Sequence, residues 1–431
     1  MSDSCLEIQI PLLRGDRKTL PAVRPVRQKL HDDRIDDVAA AVSAALAKDS
    51  IKGKLQPGMT VAVGVGSRGI SGYVESVRTV VSVLRAAGCE PFLVPAMGSH
   101  GGGTAEGQRE MLEGLGITEE STGAPVRASM DTVVIGELAD GTPLHLDAMA
   151  AEADGIVVIN RIKAHTLFRG AFESGLVKML VAGLGKAVGV AALHGRGTEN
   201  FDTMLPEGYE ILQAHGKVLF GLALIENGFS QLCMVEAVPA EAIAEREPEL
   251  LVQANEWMAR LFFEQLDVCI FDKIGKDISG QGADPNVIRR NTWGNPVLEG
   301  PRITRLVGLG ITEPSHGNAS GVGQFDVVSR DLVQHTDFAA TYANILPTTY
   351  VDLAAIPMVA ATPADAAAVA IRCVPGRSPA DTRLVYAQDT KHLGRIYVSS
   401  ALAAEVEAHP RLEWMGPEEP LARGDELIPW T

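Results

Sequence analysis

Short apolar runs alternate along the chain with stretches whose apolar residues recur every three to four positions. "TVAVGVG" (60–66), "EPFLVPAM" (90–97), "GIVVINRI" (155–162) and "KVLFGLALIENG" (217–228) read as buried strands. "IDDVAAAVSAALAKD" and "YVESVRTVVSVLRAAG" read as helices, the second closed by a glycine. Strands alternating with helices predict an α/β fold with a largely parallel sheet.

The alternation then pauses. "AEAIAEREPELLVQANEWMARLFF" (240–263) predicts a long helix interrupted at Pro248 and bridging two halves. Beyond it, strand-like runs resume in "VCIFDKIG", "RLVGLGIT", "AAIPMVAAT", "RLVYAQDT" and "RIYVSS", with the helix "PADAAAVAIRCV" opened by its proline. The boundary falls near Leu266. Residues 1–265 are expected to form a catalytic, cofactor-binding domain and residues 266–409 a substrate domain. Each is a mostly parallel sheet flanked by helices, with the active site in the cleft between them. The tail 410–431 is expected to pack back on the first half.

Ligands of open α/β sheets bind at the carboxyl ends of the strands. The segments "GSRG", "GSHGGG", "RIKAHT" and "KIGKDISG" each follow a predicted strand. The pattern alone therefore gathers Ser67, Arg68, His100, Lys163, His165 and Lys276 on one rim.

Composition narrows the partners. The 431 residues carry 38 Lys+Arg against 54 Asp+Glu, a net charge of −16. That field disfavours nucleic acid and anionic membrane, and an anionic ligand needs a local basic cluster to overcome it. The N-terminus lacks the apolar core of a secretory signal, and Lys178 and Lys186 interrupt the longest apolar run, so a cytoplasmic protein without a membrane span is expected. The five cysteines (Cys5, Cys89, Cys233, Cys269, Cys373) form no CxxC, which fits a reducing compartment without a thiolate metal site.

The candidate chemistry follows. "GVGSRG" (Gly64 to Gly69), with Glu90 twenty-one residues on, matches a dinucleotide fingerprint. Backbone N–H groups with the Arg68 fork fit a single phosphate or carboxylate better. His100 stands among glycines, where an imidazole is open to a ligand and titrates near operating pH. Arg161, Lys163, His165 and Arg169 form the local basic cluster. Lys178 lies in "GLVKMLVAGLGK": an apolar surround makes an amine nucleophilic, while a core helix can also release its lysine to the surface, and spacing alone does not choose. Lys186 reads as a helix-end or surface residue. In the second half, "DKIGKDISGQGADPNVIRR" supplies Lys276 and Arg290 in a polar, Gly-rich segment of the kind substrate loops use.

Taken together these residues resemble the nickel-pincer lactate racemase superfamily of 2-hydroxy-acid racemases and epimerases. "MGSHGGG" matches its Gly-flanked His at His100, "RIKAH" its second His at His165, and "SGLVKMLVAG" its S-G-x-x-K-x-x-x-x-G at Lys178. The family's metal-ligand His falls sixteen positions past that lysine, at His194. The match covers residues 61–194. The resemblance implies a pyridinium mononucleotide with sulfur-bearing arms that holds nickel and is tethered to Lys178, with His194 as nickel ligand. Ser67, Arg68 and Gly69 would face the cofactor and Arg68 would orient the substrate carboxylate. It implies reversible hydride transfer from C2, with His100 and His165 exchanging the hydroxyl proton for either hand of substrate. Lactate-specific members have Ser-Asp-His-Thr-Arg where this chain has "GVGSRGI", which points to a different or larger 2-hydroxy acid. A nicotinamide-dependent oxidoreductase and a non-catalytic carboxylate-binding relative are the competing readings.

Overall fold

The computed structural model describes residues 12–197, 200–291, 297–346 and 350–430. Contacts divide the chain into Asp32–Met258 and a second unit made of Met1–His31 with Ala259–Thr431.

Asp32–Met258 is built on a five-stranded sheet. In chain order its strands are β1 (Thr60–Val65), β2 (Glu90–Pro95), β3 (Gly155–Arg161), β4 (Val218–Glu226) and β5 (Leu232–Pro239), arranged β2-β1-β3-β4-β5. The first four run parallel and β5 closes the edge antiparallel to β4. Side chains alternate across the pleat. Val61, Val63 and Val65 of β1 pack with Val77, Val80 and Leu84 of helix α1 (Tyr73–Ala86). Ala62, Ile156 and Val158 face the other way, against Leu176, Leu180 and Leu205. Burying each Val or Leu contributes about 1.5–3 kcal/mol, so both faces must be covered for the strands to be this apolar. Helix α2 (Ala105–Gly114) follows β2 and is capped by Thr104, whose hydroxyl accepts from Gly107 N–H.

The second unit has a mixed sheet. Strands Met358–Ala360, Val327–Ser329, Arg302–Ile311, Gln265–Ile274 and Leu384–Ala387 lie side by side and parallel. Arg395–Ser399, Ala22–Gln28 and Leu412–Trp414 continue it antiparallel. The helix in "PADAAAVAIRCV" spans Pro363–Arg372 with Thr362 as its cap.

Four expectations change here. The division lies at 258/259, ahead of Leu266. The segment Ala22–Gln28, which shows no clear strand period around Pro25, belongs to the later unit because it pairs with Arg395–Ser399. The tail pairs with that same strand through Leu412–Trp414 and Glu419–Pro420, so it joins the second unit and not the first. The bridging helix, α3 (Ala240–Trp257), runs through Pro248 unbroken and ends before Met258, short of Phe263.

Among the described residues no single helix is long and apolar enough to cross a membrane; the apolar pair Leu176–Gly183 and Lys186–His194 turns by 103°. Cys89, Cys233, Cys269 and Cys373 are free thiols, and Cys5 lies outside the described residues.

Candidate functional site

The carboxyl ends of β1, β2 and β3 carry the chemistry of Asp32–Met258. The turn after β1 holds Ser67 and Arg68, the loop after β2 holds His100, and the loop after β3 holds His165 and leads to Lys178. A bent helix pair then places Lys178 and His194. Lys178 ends a single α-turn and the chain continues as one π-turn, Met179–Gly183, before the helix Lys186–His194. Such π-turns are rare and gather at functional sites.

The loops are locked to one another. Tyr73 accepts from Gly66 N–H at 2.7 Å and donates to the Ile159 carbonyl at 3.0 Å, tying the β1 turn to β3. Gly98 N–H donates to the Gly183 carbonyl at 3.0 Å, seating the His100 loop on the π-turn. Gly98 has φ +59°, and a Cβ there would stand 2.5 Å from Val190 Cγ2. Only glycine meets both demands.

His165 and Lys178 form the centre. Lys178 Nζ and His165 Nε2 share a short hydrogen bond. His165 Nδ1 accepts from Leu167 N–H at 3.1 Å. An imidazole that accepts at Nδ1 is neutral and carries its proton on Nε2. The Lys178 nitrogen opposite must then be the acceptor, an unprotonated amine. The electrostatics agree. Burial, then Arg68, lowers the Lys178 ammonium to about 7, with Glu173 opposing. Burial, then Lys178, holds His165 well below the usual imidazole range. Phe168 lies under both groups, 4.3 Å from the His165 ring and 5.1 Å from Lys178 Nζ. Phe201 continues that wall to the His194 ring, 5.1 Å away edge-on. Burial, then Lys178, depresses His194 to about 4, so its imidazole is neutral and available as a ligand.

The basic cluster is less basic than its sequence. Arg161 pairs with Glu226, and Arg169 pairs with the buried Glu173 while donating to the His165 carbonyl at 2.6 Å. Glu173 also accepts from His165 N–H at 2.6 Å. Arg169 and Glu173 thus shape the His165 loop and leave little net charge. Arg68 has no acidic partner among the described residues, and burial, then Arg161, lowers its guanidinium below its ordinary value.

The β1 turn corrects one reading. Glu90 opens β2 and pairs in register with Thr60, whereas the Gly turn follows Val65. Five residues at about 3.3 Å each put Glu90 at the opposite edge of the sheet from the turn, so the dinucleotide fingerprint fails geometrically. The backbone donors of the turn are also partly used, Gly66 N–H by Tyr73 and Ser71 N–H by Glu226 at 2.8 Å. Ser67 Oγ lies 2.5 Å from His100 Nδ1.

Lys186 is a second correction. It is fully buried, φ +55°, with Nζ 2.9 Å from the fully buried Asp147 and donating to the Pro95 carbonyl at 2.6 Å. The expected surface lysine is an internal tie between the end of β2 and the helix pair. Sequence reasoning also passed over Glu173, Phe168, Phe201 and Gln108; a Glu among basic residues and a Gln closing a glycine loop were the available signals.

In the other unit, Lys276 Nζ donates to the Gly280 carbonyl at 2.7 Å. Arg290 is paired with Asp326 at 2.8 Å, which meets its charge internally. Among the described residues no three His, Cys, Asp or Glu side chains converge on a metal position.

Comparison with known proteins adds the following. Residues 7–203 match the lactate racemase N-terminal domain. No curated protein matches the sequence. Among solved structures, the lactate racemase apoprotein from Thermoanaerobacterium thermosaccharolyticum is similar at 12% identity and TM-score 0.48, over 85% of this chain and 93% of that one. A structural-genomics protein from Thermotoga maritima is similar at 14% identity and TM-score 0.50, over 84% of this chain and 99% of that one.

Proposed function

We propose that this chain, whose residues 7–203 match the lactate racemase N-terminal domain, is an isomerase that inverts the hydroxyl-bearing carbon of a 2-hydroxy acid with a Lys-tethered nickel-pincer nucleotide. The observation that carries the reading is the buried Lys178 amine hydrogen-bonded to His165, with His194 at the end of the same bent helix pair; burial also lowers its ammonium to about 7.

The residues fit the cofactor. A neutral buried amine is the form that acylates, so Lys178 would hold the tether. A neutral imidazole is the form that binds nickel, so His194 would be the protein ligand. When bound, the cofactor supplies a site that accepts a hydride from C2 and returns it. Everything else belongs to the chain. Arg68 pairs with the substrate carboxylate and fixes C2. His100 and His165 exchange the hydroxyl proton, each serving one hand of substrate. Phe168 and Phe201 keep water from the reacting carbon. Lys276 is the second-unit candidate for a further polar group on the substrate.

The test is intact mass and nickel content of protein made in a host that supplies the cofactor. A covalent mass increase on the Lys178 peptide with bound nickel, both lost in K178A, supports the reading. Reversible dinucleotide binding without an adduct would instead favour an oxidoreductase, and carboxylate binding without nickel or turnover a non-catalytic relative.

A further inference from the structure

The loop that carries His100 cannot hold it unaided. Gly101, Gly102 and Gly103 all have positive φ, between 65° and 66°, and His100 itself is exposed. Two outside groups fix it. Gln108 of α2, fully buried, donates from Nε2 to the carbonyl of Gly98 at 2.8 Å and of His100 at 3.3 Å. That anchors the backbone of the loop. Ser67 reaches the ring from the β1 turn, with Oγ 2.5 Å from Nδ1.

We propose that Ser67 is the positioning residue of His100: its hydroxyl accepts the Nδ1–H, which leaves Nε2 as the ring atom that exchanges a proton. The inference deepens the proposed function, since it assumes His100 acts on a substrate hydroxyl. The neutral base and the imidazolium both carry a proton on Nδ1. A hydroxyl acceptor there therefore keeps its bond through the whole cycle, and only Nε2 gains and loses a proton. Were Ser67 the donor, Nε2 would be protonated in the neutral ring and His100 would have no lone pair to offer. In the cofactor-free chain His165 is arranged the other way, Nδ1 accepting from Leu167 N–H and Nε2 donating to the Lys178 amine that the tether would consume. Ser67 was expected to face the cofactor, and its hydroxyl also lies against His100.

The experiment is ring-¹⁵N NMR of the cofactor-free chain at a pH where His100 is neutral, with H100Q identifying the signals. The parent should favour the Nδ1–H tautomer by about tenfold, the bias one hydrogen bond supplies. S67A should lose that bias and S67T, which keeps the hydroxyl, should restore it. A parent that is mainly Nε2–H, or an S67A chain with an unchanged balance, overturns the proposal. Neither result depends on turnover, so failure of the racemase reading in the adduct and nickel assay remains a separate outcome.

Discussion

His165 and Lys178 are joined by one hydrogen bond whose direction is set from outside. The Leu167 N–H occupies His165 Nδ1, so Nε2 donates and Lys178 accepts. A lysine in an apolar run thereby becomes an amine at neutral pH instead of a buried ammonium, which would be expensive unpaired.

The first prediction concerns that amine. In the cofactor-free chain, acylation of Lys178 followed by peptide mass spectrometry should show a midpoint near pH 7, against about 10.4 for an ordinary lysine. R68A should move the midpoint upward, because Arg68 repels the ammonium form. A Lys178 that labels in step with surface lysines would remove the basis of the tether.

Tether and metal should separate genetically. H194A is expected to keep the mass increase on Lys178 and to lose most of the nickel, whereas K178A loses both. Metal content per mole of adduct is the measurement; nickel retained at parent levels in H194A would reassign the ligand.

Glu247 gives a stability prediction with a definite sign. It is 1% exposed, accepts from Val177 N–H at 2.9 Å at the turn that carries Lys178, and burial raises its carboxyl to about 8. The folded value lies above the unfolded one of about 4.3. Between those values the folded chain binds the extra proton, so stability is fully present below about pH 4.3 and declines as pH rises to about 8. E247Q keeps an acceptor for Val177 and should flatten this slope by a few kcal/mol in denaturant melts from pH 5 to 8. An identical slope in parent and variant would contradict a protonated Glu247.

The Lys186–Asp147 pair should behave as a buried ion pair does. K186M alone strands Asp147 and should cost about 3–5 kcal/mol, while K186M/D147L should recover most of it. Equilibrium unfolding of the three chains decides; equal losses in the single and double variants would show that the Nζ contact with the Pro95 carbonyl is the larger part.

Much of this site is legible in the chain because strand ends are. "TVAVGVG", "EPFLVPAM" and "GIVVINRI" are continuous apolar runs with abrupt glycine or polar ends, so the turn residues Ser67, His100 and His165 fall where the sheet must stop. Lys178 was ambiguous because periodicity records only apolar neighbours and not the Leu167 N–H that orients its partner. Lys186 was misread for the same reason: its partner Asp147 lies thirty-nine residues upstream on another element. The basic cluster looked stronger than it is because Glu226 is remote in sequence from Arg161. Glu90 satisfied a spacing rule while sitting at the wrong end of its strand. Ala22–Gln28 has no amphipathic signature of its own, and its place depends on pairing with strands near the other end of the chain.

That last pairing has a consequence for assembly order. The proposed catalytic residues His100, His165, Lys178 and His194 all lie in Asp32–Met258, an uninterrupted stretch spliced into a unit whose own first strand must wait for Arg395–Ser399 and Leu412–Trp414. During synthesis the inserted stretch has emerged entire before those partners exist. Asp32–Met258 can therefore fold around Lys178 while Ala22–Gln28 is still an unpaired strand, so the open strand edge that invites mispairing during synthesis belongs to the other unit's sheet.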